Sequence, residues 1–396
     1  MILALLLACE PEPLQREPHD GDFWWGVATS PYQTEDPGDD VFVTDWDLFA
    51  ARGEIPEARG QGTQSWSRFE RDLVALQELG VSHYRFGIEW ARVEPKPGEY
   101  DDEAIAEYAR RAAALSDAGI VPIVCLWHFT FPDWATDLDR GDATGWLHPQ
   151  TRERWLPYVV RVSEALAPHV DLYSPQNEPN AAIMAGYFVG MWPPGIERDL
   201  KLVWAHTDAA ADQWIAAATA IRQADPDAEL ITIQNIIAFA PEPWDVAGVF
   251  TSIGSGYNYD HLDRVASHAD VVGFNYYHRR AASPFPVAEQ HYPRGIRVAI
   301  EDLTARYYKP VAIMENGIGT DDDALRTLYL RSHIRQVEIA RSDGYEVRGY
   351  FAWSLMDNFE WALGYGSRYG LYSVDPDTGD LAAKGSAGIY AEIVGD

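Results

Sequence analysis

Val311-Ala312-Ile313-Met314-Glu315-Asn316-Gly317 puts four apolar residues, a carboxylate, an amide and a glycine into seven positions. Such a short apolar run reads as a buried strand, and its polar end marks where the chain leaves the core. A helical pattern over residues 321–342 follows. The same unit recurs along the chain. Strands are predicted at 23–30, 84–90, 121–128, 171–178, 229–236, 271–277, 311–317 and 349–355. Helical patterns include 65–79, 101–118, 151–166, 206–224 and 321–342. Thr63 or Ser65 is placed to start the first helix and Asp101 the second. Gly80, Gly119 and Gly344 are placed to end helices. Eight strands with helices between them predict an α/β fold, a single closed (β/α)8 barrel over residues 21–396. Six or seven units would have left an open doubly wound sheet as a rival.

The chain has 396 residues, with 61 Asp+Glu against 31 Lys+Arg, a formal net charge of −30. That charge repels phosphate backbones and anionic lipid surfaces, which argues against nucleic-acid binding. At 47% hydrophobic and 23% charged, the chain can bury a large core. Two cysteines, Cys9 and Cys125, are too few for a disulfide framework or a cysteine zinc site. Residues 1–20 form an apolar run and then an acidic, Pro-rich tail. Leu6-Leu7-Ala8-Cys9 resembles the end of a bacterial lipoprotein signal, which would make Cys9 a lipid anchor and 10–20 a tether. No Lys or Arg precedes the run. The alternative is an ordinary greasy N-terminus on a cytoplasmic protein.

Costly polar residues gather at the predicted strand ends, where barrels of this type place their chemistry. The third strand ends at Trp127-His128, the fourth at Gln176-Asn177-Glu178, the sixth at Asn275-Tyr276-Tyr277 and the seventh at Glu315-Asn316. Asp357-Asn358-Phe359-Glu360-Trp361 follows the eighth. Glu178 and Glu315 must be partly desolvated, which rarely favours stability. Either one alone could be the buried ion-pair partner of an arginine such as Arg85. Two of them on opposite sides of one barrel suit glycoside hydrolysis. One carboxyl protonates the departing oxygen; the other attacks the anomeric carbon or activates water.

The motifs carry a resemblance. Phe23-Trp24-Trp25-Gly26-Val27-Ala28-Thr29-Ser30-Pro31-Tyr32-Gln33-Thr34-Glu35 resembles the opening signature of glycoside hydrolase family 1, the β-glucosidase family. Asn177-Glu178-Pro179 resembles its acid/base motif, Glu315-Asn316-Gly317 its nucleophile motif, and Trp353 to Trp361 its C-terminal signature. The similarity runs in family order from about Asp22 to the end. It implies a retaining β-glycosidase that removes a terminal β-D-glucosyl, galactosyl or fucosyl residue. Glu178 would be the acid/base and Glu315 the nucleophile. Arg85 and Tyr277 would aim Glu315, with Asn275 supporting from behind. Asn177 would bond the sugar 2-hydroxyl. Gln33, His128, Glu360 and Trp361 would bind the other hydroxyls, and Trp353 would stack beneath the ring. Plain packing is the alternative reading for Trp353, His128 and Tyr369; in the resemblance Tyr369 is an aromatic wall.

Departures from the family pattern are Asn180 where many bacterial members have Trp, Met314 for Thr, and Phe129 for Trp. The first implies a more open leaving-group site. With Arg85-Phe86-Gly87-Ile88-Glu89-Trp90, the sequence looks nearer the archaeal-type branch. Glu178 sets aside myrosinase-like members, and the acidic Glu360 sets aside phospho-β-glycosidases, because it would repel phosphate. A non-catalytic carbohydrate-binding barrel would be expected to lose one carboxylate, and both are present. A predominant transglycosidase would share the same covalent intermediate. No cofactor, metal site or protein partner is implied. Asp321-Asp322-Asp323 reads as a helix N-terminus, where acids suit the dipole.

Overall fold

The computed structural model describes residues 23–38, 42–240, 248–281 and 290–395. The Cys9 expectation and the 1–20 tail lie outside the described residues. Among those described, no helix is long and apolar enough to cross a membrane.

Eight parallel strands form the barrel: β1 Trp24–Ala28, β2 His83–Gly87, β3 Val121–Cys125, β4 Leu172–Ser174, β5 in two segments Glu229–Leu230 and Gln234–Asn235, β6 Val272–Asn275, β7 Val311–Asn316 and β8 Val347–Trp353. β1 lies between β2 and β8, and the order continues through β7 and β6 on one side and through β3 and β4 on the other. The broken β5 closes the ring. Its first segment pairs with β4 and its second with β6. Between them, Ile231 bridges to Val271 and Ile233 to Asn177.

Alternation along the strands divides the core in two. Residues such as Trp25, Val27, Phe86, Val124, Tyr173, Phe274, Ile313 and Tyr350 face outward and pack under the helices. Trp24, Ile123, Leu172, Ile231, Ile233, Val271, Ala312, Met314 and Phe351 form a separate buried cluster, the plug that fills the lumen. That plug makes the barrel a packed core with a floor beneath its mouth.

One principal helix follows each strand: α1 Phe69–Leu79, α2 Asp102–Asp117, α3 Pro149–Leu166, α4 Leu200–Ala224, α5 Val249–Tyr259, α6 Arg294–Tyr307, α7 Asp323–Ser342 and α8 Gly385–Gly395. Asp101 caps α2 by accepting from Ala104 N, and Asp322 caps α7 by accepting from Ala324 N and Leu325 N. Gly80, Gly119 and Gly344 follow helices with positive φ, as their positions predict. Thr63 and Ser65 do not cap α1. The helix begins after Arg68 without a side-chain cap. Instead the Thr63 hydroxyl donates to Thr34 O, satisfying a buried carbonyl of the loop after β1. α4 starts earlier than its pattern suggests, because Asp199 supplies a cap to Leu202 N.

β7 departs from regular pairing near its end. Ile313 pairs with Phe274 of β6, but the next pair is Glu315 with Asn275. One extra residue therefore sits on β7, a bulge that re-aims a side chain. Met314 fills the lumen, while Asn316 donates to Tyr276 O behind the wall. Glu315 is thereby turned to the mouth, where regular alternation from Met314 would have sent it outward.

The seam at β5 depends on close backbone approach. A Cβ on Gly273 would lie 2.1 Å from Thr232 O and 2.8 Å from Ile231 Cγ2 and Met314 Cγ. Gly273→Ala should therefore destabilise the protein by about 3 kcal/mol, because neither backbone can yield. Urea unfolding of the two proteins checks this; a change below ~0.5 kcal/mol, the level of an innocuous substitution, would contradict it.

Candidate active site

Glu178 follows β4 with φ 41, a left-handed conformation rare outside glycine. Its N–H donates to Ile233 O at 2.8 Å, and Pro179 begins a short helix, Pro179–Tyr187. These flanking constraints hold a conformation that alone would cost about 1–3 kcal/mol. Glu178 Oε1 accepts from Asn235 Nδ2 at 2.8 Å and Asn275 Nδ2 at 2.7 Å. Burial, then the nearby Glu315 charge, push its pKa up to about 8, against the pull of both amides.

Glu315 meets a different environment. Arg85 Nη2 donates to one carboxyl oxygen and the Tyr277 hydroxyl to the other. Burial and Glu315 in turn push the Tyr277 phenol well up, so it stays a donor. Arg85 Nη1 also donates to Asn177 Oδ1 at 2.8 Å. Asn177 Nδ2 lies 3.2 Å from His128 Nε2. Burial, with Arg85 nearby, pushes His128 well below its usual range, so its ring is neutral and Nε2 is the acceptor. The proton then sits on Nδ1, a buried atom with no partner among the described residues.

The opposite wall is aromatic. The His128 ring lies 5.9 Å from Trp353 and 6.1 Å from Trp361, nearly parallel to both. Trp361 also stacks on Tyr32. Tyr369 meets Tyr277 edge-on at 6.0 Å. Glu360 is partly buried, and burial followed by the charges of Glu315 and Glu178 pushes its pKa up to about 8, with bonds from Trp353 and Gln33 opposing. Gln33 lies behind this wall and is fully buried. It donates to Asn358 Oδ1 and Phe359 O and accepts from the Ser30 hydroxyl, so it anchors the loop that carries Glu360.

The predicted residues thus converge on one mouth, with one correction. Asn275 does not support the Glu315 side. Although its backbone pairs with Glu315, its side chain turns toward β4 and bonds Glu178 and Asn177. Asn235 and Tyr257 were not anticipated. The Tyr257 hydroxyl donates to Asn235 Oδ1 at 2.8 Å, aiming the Asn235 amide at Glu178. The signal was the amide pair Gln234-Asn235 at the end of the fifth strand, matching Gln176-Asn177 on the fourth. Asn180 is a clamp here: it donates to Asn235 O and Tyr257 O and accepts from Asn235 N.

A cavity of about 300 Å³ joins Glu178, Glu315, His128, Trp353, Glu360 and Trp361 to a lip of other residues above them. The arrangement offers one carboxyl held as an acid, one held by a cation and a phenol, and an aromatic floor beside them. That is the equipment for acid-assisted displacement at an anomeric carbon.

The sequence profile of glycosyl hydrolase family 1 matches residues 15–243 and 285–396. The beta-galactosidase of Pyrococcus woesei is 27% identical, over 94% of this chain and 96% of its own. The bifunctional beta-D-glucosidase/beta-D-fucosidase of Bifidobacterium breve is 29% identical, over 94% and 97%. The solved beta-glycosidase from Pyrococcus horikoshii is 30% identical, with a TM-score of 0.83 over 95% of this chain and 94% of its own.

The two raised carboxyls make stability depend on pH. Their folded pKa values, about 8, exceed the unfolded value of ~4.3. Their contribution is full below the unfolded value and is lost as pH rises through about 8. Melting temperature should therefore fall from pH 5 to pH 9. Glu178→Gln, which cannot ionise, should gain more over the wild type at pH 9 than at pH 5. Equal gains at the two pH values in calorimetry would show that Glu178 ionises freely in the folded state.

Proposed function

The chain belongs to glycosyl hydrolase family 1, and on that premise we propose that Glu178 is its acid/base and Glu315 its nucleophile. It is a retaining β-glycosidase. The observation that carries the assignment is the unequal treatment of the two carboxyls. Glu178 accepts from two amides and is pushed up to about 8 by burial and the Glu315 charge, while Glu315 has the guanidinium of Arg85 and the phenol of Tyr277.

In the first step Glu178 gives its proton to the glycosidic oxygen as a Glu315 oxygen attacks the anomeric carbon from the opposite face. The bond to the leaving group breaks and an ester to Glu315 forms. Esterification removes the Glu315 charge that helps to raise Glu178, so Glu178 becomes easier to ionise. In the second step it takes a proton from water, the water oxygen joins the anomeric carbon, and the ester bond breaks. Inversion at each step restores the β configuration.

The sugar is proposed to be a terminal non-reducing β-D-glucosyl, galactosyl or fucosyl residue of a small glycoside. The names of the relatives support that range. Trp353 would stack beneath the ring. His128 Nδ1 and Glu360 would bond its hydroxyls, and Asn177 the 2-hydroxyl. Tyr369 would wall the site through its contact with Tyr277. Gln33 would act chiefly by holding the Glu360 loop.

Hydrolysis of aryl β-glucosides by Glu178→Gln and Glu315→Gln tests the roles. Glu315→Gln should lose roughly 10⁴-fold or more on every substrate. Glu178→Gln should lose about 10²–10⁴-fold with a poor leaving group, and far less in the first step with dinitrophenolate, which departs without a proton. Equal losses on both leaving groups would remove Glu178 as the acid.

The pH profile follows from the same assignment. The free enzyme is competent while Glu178 is protonated, so kcat/KM should fall as pH rises through about 8. Glu178 and Glu360 repel each other, so this limb belongs to the coupled pair. An alkaline limb that survives unchanged in Glu178→Gln would assign it to another group.

A further inference from the structure

The lip of the cavity differs from its floor in chemistry. Met184, Val189, Met191 and Leu363 line it; the first three follow Glu178 in the chain, and Leu363 follows Glu360. Val189, Met191 and Leu363 are large apolar residues left about half exposed at 50%, 44% and 56%. Exposed apolar side chains gathered at the rim of a pocket mark a surface that takes a partner. Methionines there make soft, adaptable contacts to an aromatic ring.

Among the described residues, Arg280 is the Lys or Arg that stands in this wall. Arg280 lies on the short strand Arg279–Ala281, which pairs with Ala238–Ala240 beside the second segment of β5. It lines the cavity, and its charge acts on Tyr257, lowering a phenol that burial raises. Tyr257 donates to Asn235, which donates to Glu178. Arg280 therefore sits on the acid/base side of the mouth, across from Trp353 and Glu360. Acidic residues outnumber basic ones 61 to 31 in this chain, so arginines have abundant partners. Arg280 nonetheless has no ion pair among the described residues.

We propose that the leaving-group side of this cavity selects aromatic aglycones that carry a carboxylate, with Arg280 as the residue that reads the charge. The ring would lie on the methionine lip, and the guanidinium would take the carboxylate through paired N–H donors. Placing the charge on the aglycone keeps it away from Glu315 and Glu360, which would repel an anionic sugar. This rests on the β-glycosidase reading, and deepens it by naming the class of leaving group.

The test compares two β-glucosides that differ only in charge: 4-carboxyphenyl β-glucoside and its methyl ester. The readout is the acid-to-ester ratio of kcat/KM. Comparing that ratio between proteins cancels the intrinsic difference between the leaving groups. Arg280→Gln should lower the ratio roughly tenfold or more, as loss of a charged hydrogen bond does. Arg280→Lys should keep part of it. In the wild type, free 4-hydroxybenzoate should inhibit more strongly than its methyl ester at about 0.5 M salt, where the long-range repulsion of the −30 net charge is screened. That measurement decides the matter even if the variants fail to fold. A ratio that changes less than about threefold in Arg280→Gln, or equal inhibition by the two phenols in the wild type, overturns the proposal. Wild type that hydrolyses neither glucoside nor 4-nitrophenyl β-glucoside would overturn the glycosidase reading instead.

Discussion

Everything at the mouth of this barrel is arranged around one buried guanidinium. Arg85 is fully enclosed, and it gives one nitrogen to Glu315 and another to Asn177. An unpaired charge in that position would be prohibitive, so the pairing dictates the surroundings. Three carboxyls, Glu178, Glu315 and Glu360, share the cavity, and the guanidinium is committed to one of them. Among the described residues the other two receive amide and indole donors, and both are pushed toward the protonated form. The division of labour proposed for Glu178 and Glu315 thus follows from which side chain reaches the cation.

The scaffold supports that division by being filled. The lumen plug of Trp24, Ile123, Leu172, Met314, Phe351 and their neighbours keeps water from reaching Arg85 from below. Its dryness strengthens each electrostatic contact above it. The bulge in β7 is the local exception that lets Met314 stay in the plug while Glu315 turns to the mouth. The strained backbone of Glu178 is the corresponding exception on β4, held by Ile233 across the β5 seam. Both irregularities fall on the two carboxyls proposed to do the chemistry, where rigid neighbours can sustain them.

The two sides of the cavity follow different rules. Around Trp353, Trp361 and His128, flat rings and fixed hydrogen-bonding groups make a shape that suits one sugar ring. Around Met184, Met191 and Leu363, the wall is apolar, exposed and adaptable. The clamp of Asn180 on Asn235 and Tyr257 joins them, tying the loop after β4 to the end of β5. A small buried amide at position 180 holds this frame.

Eight short apolar runs, each ending in polar residues, determined the barrel and the side of it that carries chemistry, because burial forces a period and polar residues must lie where the core ends. The same logic found Glu178, Glu315, Arg85 and Tyr277, and the caps at Asp101 and Asp322, whose signals are local. What the sequence could not settle depends on which strands become neighbours. Asn275 reads as support for the Glu315 side; only the closed ring turns its side chain to Glu178. Gln33 reads as a sugar ligand, and only the fold shows that its amide also ties down the loop of Glu360. Thr63 and Ser65 read as caps until Thr34 O comes within reach. Asn235 and Tyr257 gain their roles only because a broken fifth strand brings them beside the fourth. These are contacts between residues far apart in the chain. The short-range pattern constrains burial and period but not partner, so tertiary packing alone decides them.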